Sequence, residues 1–354
     1  MKKTIAMILT ILIVAAMLAG CAGTTVVIGN CTCPDHNNTP PVIPTEGAVK
    51  TGLSVSTKLS DSTSATADAA GAAKYDITLA AVTVDDNGVI LSCVIDSIPA
   101  TIAFDAAGQI TSDITAAVKT KNELGADYGM VAWGGAKAEW NEQVAAVANY
   151  AVGKTVEQLK NGDIDMTTGK AKDGTDLSSS ASIYLAGYVY AIEAAVNSAK
   201  HLGAQAGDEL VLATNNSLSS SNSVAADKAG NAQLDADIAV VTKNGGKITS
   251  CYIDSVQAKI AFDATGKITS DLSATVKTKN ALGADYGMVA WGGAKAEWNE
   301  QTAAFCAYVT GKTAAEVAGI AVAPSTKPAD GTDLATSVTI SIAGFQALIA
   351  KAMQ

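Results

Sequence analysis

The chain predicts an α+β protein made of two tandem repeats, each an antiparallel β-meander packed with a few α-helices. Three observations predict it. Residues 118–143, VKTKNELGADYGMVAWGGAKAEWNEQ, return at 276–301 with one change, Glu123 becoming Ala281. Alternating apolar runs around Gly-bearing turns precede the block in both copies, and residues at helical spacing follow it. With 354 residues, 48% hydrophobic and 16% charged, the chain is long enough for two globular domains of ordinary size.

The expected organisation runs in four parts: a signal peptide over 1–20, a lipid-anchored tether over 21–49, a first repeat over 50–207 and a second over 208–354. Two lysines, an apolar run from Ile5 to Leu18 and Leu18-Ala19-Gly20-Cys21 form the amino terminus. That run is short for a permanent membrane span and reads as an export signal. Small residues before a cysteine resemble the lipobox of bacterial lipoproteins, which implies cleavage before Cys21 and a diacylglycerol on its sulfur. The protein is thus expected on the extracytoplasmic face of a cell membrane, held by its lipid. Cys31, Cys33, His36 and several prolines follow in a polar stretch that buries little apolar surface, so the segment to about Thr45 reads as a flexible tether. Three soft ligands in such a segment make a weak metal site, and no metal is assigned.

Within each repeat the elements follow in one order. The first copy predicts a strand over Asp76 to Val84, a turn at Asp85-Asp86-Asn87-Gly88, a second strand over Val89 to Ile98 and a third around Thr101 to Phe104. Lys243-Asn244-Gly245-Gly246 repeats the hairpin signal, and Asp263-Ala-Thr-Gly266 repeats Asp105-Ala-Ala-Gly108. Inside the shared block, Leu124 to Gly129 and Trp133-Gly134-Gly135 read as loops. Trp140, Val144, Val147 and Ala148 recur at helical spacing, which predicts an amphipathic helix over Ala136 to Val152 ended by Gly153. Thr155 and Thr313 cap short helices. A hydroxyl-rich turn then enters the last helix, which runs to about Lys200 in the first copy. Free backbone amides at such a helix start attract anions, and a run of Ser and Thr caps gives the same sequence.

The composition narrows the chemistry. A net charge of -10 argues against a nucleic-acid partner. His36 and His201 are the only histidines and neither lies in the shared block, so mechanisms built on a duplicated histidine are excluded. No phosphate loop or dinucleotide fingerprint is present. Cys93 and Cys251 hold equivalent places on predicted strands and read as small buried hydrophobes, while Cys306 has no counterpart. Asp127 with Glu139, and Asp285 with Glu297, are a candidate carboxylate pair, although solvated surface carboxylates read the same way. Lys119, Lys121, Lys277 and Lys279 are the basic pairs of an acidic protein and fit an anionic partner or a solvated edge. Trp133 and Trp291, each before two glycines, fit either a stacking platform for a planar ligand or a plug in the core.

Taken together, Lys119-Thr120, Tyr128 and Met130, then Asp176 followed by Ser179-Ser180-Ala181-Ser182, resemble the FMN-binding domain of Gram-positive surface lipoproteins of extracellular electron transfer. The second copy offers Lys277-Thr278, Tyr286, Met288, and Asp333 followed by Thr336-Ser337-Val338-Thr339. The resemblance implies FMN, linked by a flavin transferase to the last hydroxyl of the closing turn, Ser182 or Thr339, with Asp176, Asp333, Ser179, Thr336, Lys119, Lys277, Trp133 and Trp291 around it. It also implies a membrane redox donor as partner. Ser180 and Ser337 stand where the family has glycine, and Val338 where it has alanine, so covalent, non-covalent and flavin-free forms all stay open. Two expectations result. One is a lipid-anchored flavin electron carrier with no substrate of its own, and the other a flavin-free surface protein whose paired Trp-Gly-Gly loops hold a ligand.

Overall fold

The computed structural model describes residues 46–354 as part of one compact unit. Cys21, Cys31, Cys33 and His36, with the signal and most of the tether, lie outside the described residues. The fold is mixed α+β with antiparallel sheets. In the first half come β1 (Ala48–Lys58), β2 (Gly71–Val84) and β3 (Ile90–Phe104), then α1 (Lys121–Leu124), α2 (Trp140–Ala151), α3 (Val156–Asn161), the short strands β4 (Ile164–Asp165) and β5 (Lys170–Ala171), α4 (Asp176–Ser180), α5 (Ala186–Ser198) and β6 (Lys200–Gln205). The second half has β7 (Glu209–Ser217), β8 (Gly230–Asn244), β9 (Lys247–Phe262), α6 (Lys279–Leu282), α7 (Trp298–Val309), α8 (Ala314–Ala318), α9 (Asp333–Ser337) and α10 (Ala343–Ala352). Among these helices none is long and apolar enough to cross a membrane.

Two large sheets, ordered β3-β2-β1-β6 and β7-β8-β9, and a two-stranded β4-β5 ribbon result. Alternation along the strands decides what each face meets. Ile77, Leu79 and Ala81 of β2 join Leu234, Ala236, Ile238 and Val240 of β8 in one core between the sheets. Ala80 and Val82 point the other way, onto Val144 and Val147 of α2 and Val189 and Ile192 of α5. Ala239 and Val241 do the same under α7 and α10. Each half therefore has an outer core beneath its own helices, and the two halves share a third. Phe104 and Phe262 stack there with ring centroids 4.1 Å apart. Gly71 and Gly230, their cross-strand partners, leave the space the rings occupy.

A reciprocal clasp joins the halves. Ala65 N donates to Gly266 O at 2.8 Å, and Val224 N donates to Gly108 O at 2.9 Å. Alongside, Ile268 N donates to Ser64 Oγ at 3.0 Å and Ile110 N to Ser223 Oγ at 2.9 Å. Each half thus grips the Asp-x-x-Gly turn of the other. At another seam Thr51 of β1 meets Ser250 of β9, 2.9 Å between hydroxyl oxygens, and Ser250 meets Thr242 at 2.7 Å.

Three expectations change in detail. The second and third predicted strands are one, because β3 runs unbroken through Pro99, which an edge strand tolerates without its N–H. Strand β1 begins at Ala48, inside the segment expected as tether to 49, and is an interior strand whose Thr51 and Ser54 are buried against neighbours. Helix α2 starts at Trp140, not Ala136, with Glu139 as its N-cap and Glu142 closing a capping box.

Candidate functional site

Most of the shared block is committed to holding itself in place. Thr120 caps α1, and the Asn122 backbone N–H donates to Asp96 Oδ1 at 3.1 Å while its side-chain amide donates to Ile95 O at 2.9 Å. Asp254, Asn280 and Ile253 repeat this with the same distances, 3.1 and 2.9 Å. Burial pushes the carboxyls of Asp96 and Asp254 above the usual carboxylate range, against the hydrogen bonds that pull them down. Lys121 is buried, its Nζ 5.2 Å from the Tyr128 ring centre and 5.1 Å from that of Trp140, and 3.5 Å from Asp76 Oδ1. Lys279 sits likewise between Tyr286 and Trp298, at 5.2 and 4.9 Å. The lysines brought into the fold are thus Lys121 and Lys279; Lys119 and Lys277 are exposed.

Glu139 and Glu297 organise the chain on either side of the tryptophans. Met130 N and Val131 N donate to the two carboxylate oxygens of Glu139 at 2.9 and 3.1 Å, and Met288 N and Val289 N to those of Glu297 at the same 2.9 and 3.1 Å. Both carboxylates anchor a backbone turn. Within that turn Trp133 N donates to Gly129 O at 2.9 Å, and Trp291 N to Gly287 O at 3.0 Å. The result is one pinned helical turn with a tryptophan at its crest.

Trp133 is 89% exposed and Trp291 84%. Neither plugs the core. Val131 and Val289 are exposed beside them. Gly129 and Gly287 lie at φ +79° and +81°, which strains any other residue, and a Cβ there would also meet the pyrrole side of the Trp133 indole and the benzene side of Trp291. The two indoles rest on equivalent backbones in different orientations.

No family model matches this chain, and no curated protein or solved structure does either.

The closing turns were the expected cofactor site, and their donors already have acceptors. Gln143 Oε1, on a buried side chain of the shared block, accepts from Ser182 N at 2.7 Å, Ser182 Oγ at 3.2 Å and Ile183 N at 3.2 Å. Gln301 holds Thr339 N and Oγ1 at 2.8 and 3.1 Å. Ser179 Oγ and Thr336 Oγ1 donate to the carbonyls of Asp176 and Asp333, both at 2.7 Å. Ala181 N and Leu185 N donate to Leu177 O and Gly169 O at 2.8 and 2.6 Å. Asp176 and Asp333 are exposed. Each turn therefore offers carboxylate and carbonyl oxygens but few unpaired donors, and this donor set does not fit an FMN phosphate. Sequence reasoning missed Gln143 and Gln301, although both lie in the shared block.

The remaining candidates separate. His201 Nε2 lies 3.0 Å from Asp86 Oδ1, which Lys50 Nζ also meets at 2.8 Å, on the surface. Among the described residues no group of three or more His, Cys, Asp or Glu side chains could hold a metal ion. Cys93 packs in the first outer core, burial pushing its thiol up to about 12. Cys251 is buried as expected, but it meets Cys306, a pairing invisible in the repeat pattern because only the second half carries it.

Proposed function

We propose that this chain is a lipid-anchored extracytoplasmic protein without catalysis of its own, built from two copies of one α+β module, that binds a ligand through paired tryptophan turns. One observation carries this: Trp133 and Trp291 stand 89% and 84% exposed on turns pinned by Glu139 and Glu297. Leaving an indole in water on a rigid crest is costly unless something covers it. Its flat face suits a planar apolar surface, such as the face of a sugar ring. Two linked turns raise the effective concentration of the second contact once the first is made.

The test is co-sedimentation of the full chain with insoluble cell-envelope polysaccharide. Trp133→Ala or Trp291→Ala alone should weaken retention, and the two together should abolish it; undiminished retention by the double variant rejects the proposal. A flavin carrier partnered by a membrane redox donor is the second proposal, and it rests on the sequence resemblance of the closing turns alone, since Gln143 and Gln301 already take their donors. Yellow protein after co-expression with a flavin transferase and added FMN would favour it, and colourless protein would count against it.

A further inference from the structure

Cys251 lies on β9 and Cys306 on α7, with a hydrogen bond between sulfurs 3.2 Å apart. Both are free thiols in the interior of the second half. They form part of the wall of a cavity of about 580 Å³, together with His201, Tyr252, Asn280 and Asn299. The equivalent places in the first half hold Cys93 and Ala148, so no pair exists there. Chain separation is large, 55 residues, and the closed segment includes Trp291 with its turn.

We propose that Cys251 and Cys306 are a redox-active dithiol, closed to an intramolecular disulfide by a small disulfide oxidant of the glutathione class that enters through this cavity. Bond formation needs the sulfurs to approach by only about 1.2 Å from their 3.2 Å separation. One cysteine, as thiolate, attacks a sulfur of the oxidant and releases one oxidant thiol. Its partner then attacks the protein sulfur of the mixed disulfide and releases the second. The two cysteines lose two electrons and two protons, and the oxidant becomes two thiols. The hydrogen bond to Cys306 and burial hold the Cys251 thiol well above the ordinary range, so Cys251 releases its proton only as it forms its bond to sulfur. The pair stands independently of the ligand proposed above. An exported location would supply the oxidising setting.

The experiment equilibrates the reduced full chain across a series of oxidised-to-reduced glutathione ratios, quenches in acid, alkylates in denaturant and maps the peptides. The expected result is a linked pair of peptides carrying Cys251 and Cys306, lighter by two hydrogens and lost on reduction, with a two-electron dependence on the glutathione ratio. The unfolding midpoint should be higher in the oxidised chain than in the reduced one. Cys306→Ala, which installs the residue of the first half, should abolish the linked peptides and the redox dependence of the midpoint together. Recovery of both cysteines alkylated, or each only as a glutathione adduct, at the most oxidising ratio overturns the proposal. Should Cys306→Ala fold poorly, the peptide map of the unmodified chain decides by itself.

Discussion

Glu139 shows how one side chain decides what another can do. Its carboxylate holds the backbone N–H groups of Met130 and Val131, so the exposure of Trp133 depends on a residue beyond the turn itself. Glu139→Ala leaves those donors to water and should cost about 1–2 kcal/mol in chemical denaturation, with new proteolytic cleavage in the turn. Trp133→Ala removes a ring that contacts little and should stay within about 0.5 kcal/mol of the parent. A large loss there would mean that the ring is packed. Asp254 carries a different prediction. Burial raises its carboxyl pKa in the fold, so between the ordinary carboxylate range and that raised value the folded chain binds a proton the unfolded chain has lost. Stability from this group falls as pH rises through that window. Asp254→Asn removes the dependence, so unfolding free energies measured across mildly acid pH should move in the variant's favour as pH rises; a constant difference would reject the assignment. The sequence marked Trp133 and Glu139 as candidates, but exposure and pinning are tertiary facts that the local pattern does not encode.

At the scale of elements, the single difference inside the shared block acquires a partner. Glu123 pairs with Lys351 of α10, which also donates to Thr214 O at 2.8 Å, so α1 of one half is tied to the last helix of the other. The equivalent positions are Ala281 and Ala194, so the matching place has no such pair. Because both side chains are partly exposed, the pair should contribute about 0.2–1 kcal/mol, measured as the coupling in a Glu123→Ala and Lys351→Ala double-mutant cycle. Salt should weaken it. Hairpins and caps were legible because their signals are local: within the expected Lys243 to Gly246 turn, Gly245 and Gly246 both take positive φ, and Thr155 and Thr313 cap as expected. Strand β1 was not, since its Thr51 and Ser54 look solvated until a second sheet and a flanking strand enclose them.

For the whole molecule the core between the sheets is decisive. Leu79, Ile77 and Phe104 from one half and Leu234, Ile238 and Phe262 from the other are buried against each other, so either half alone would expose a broad apolar face. A fragment of residues 46–207 should therefore not persist as a folded monomer. Sedimentation and circular dichroism should find it unfolded or self-associated, and a monodisperse folded monomer would show that the outer core suffices. Phe104→Ala in the full chain should cost about 3–5 kcal/mol and should loosen both halves in hydrogen exchange. The repeat pattern in the sequence announced two modules without their mutual dependence, because strand alternation marks a buried face but not what buries it.

The reciprocal grip of Ser64 and Ala65 on one turn, and of Ser223 and Val224 on the other, ties two halves of a single polypeptide together by matching contacts. Chain connectivity replaces concentration, so the assembly forms in a unimolecular step and survives dilution. A single chain also lifts a constraint. Identical subunits must change both sides of an interface at once, whereas two halves of one chain can differ at either side. The Glu123–Lys351 pair and the Cys251–Cys306 pair each occur on one side alone, a freedom that a dimer of identical chains does not have.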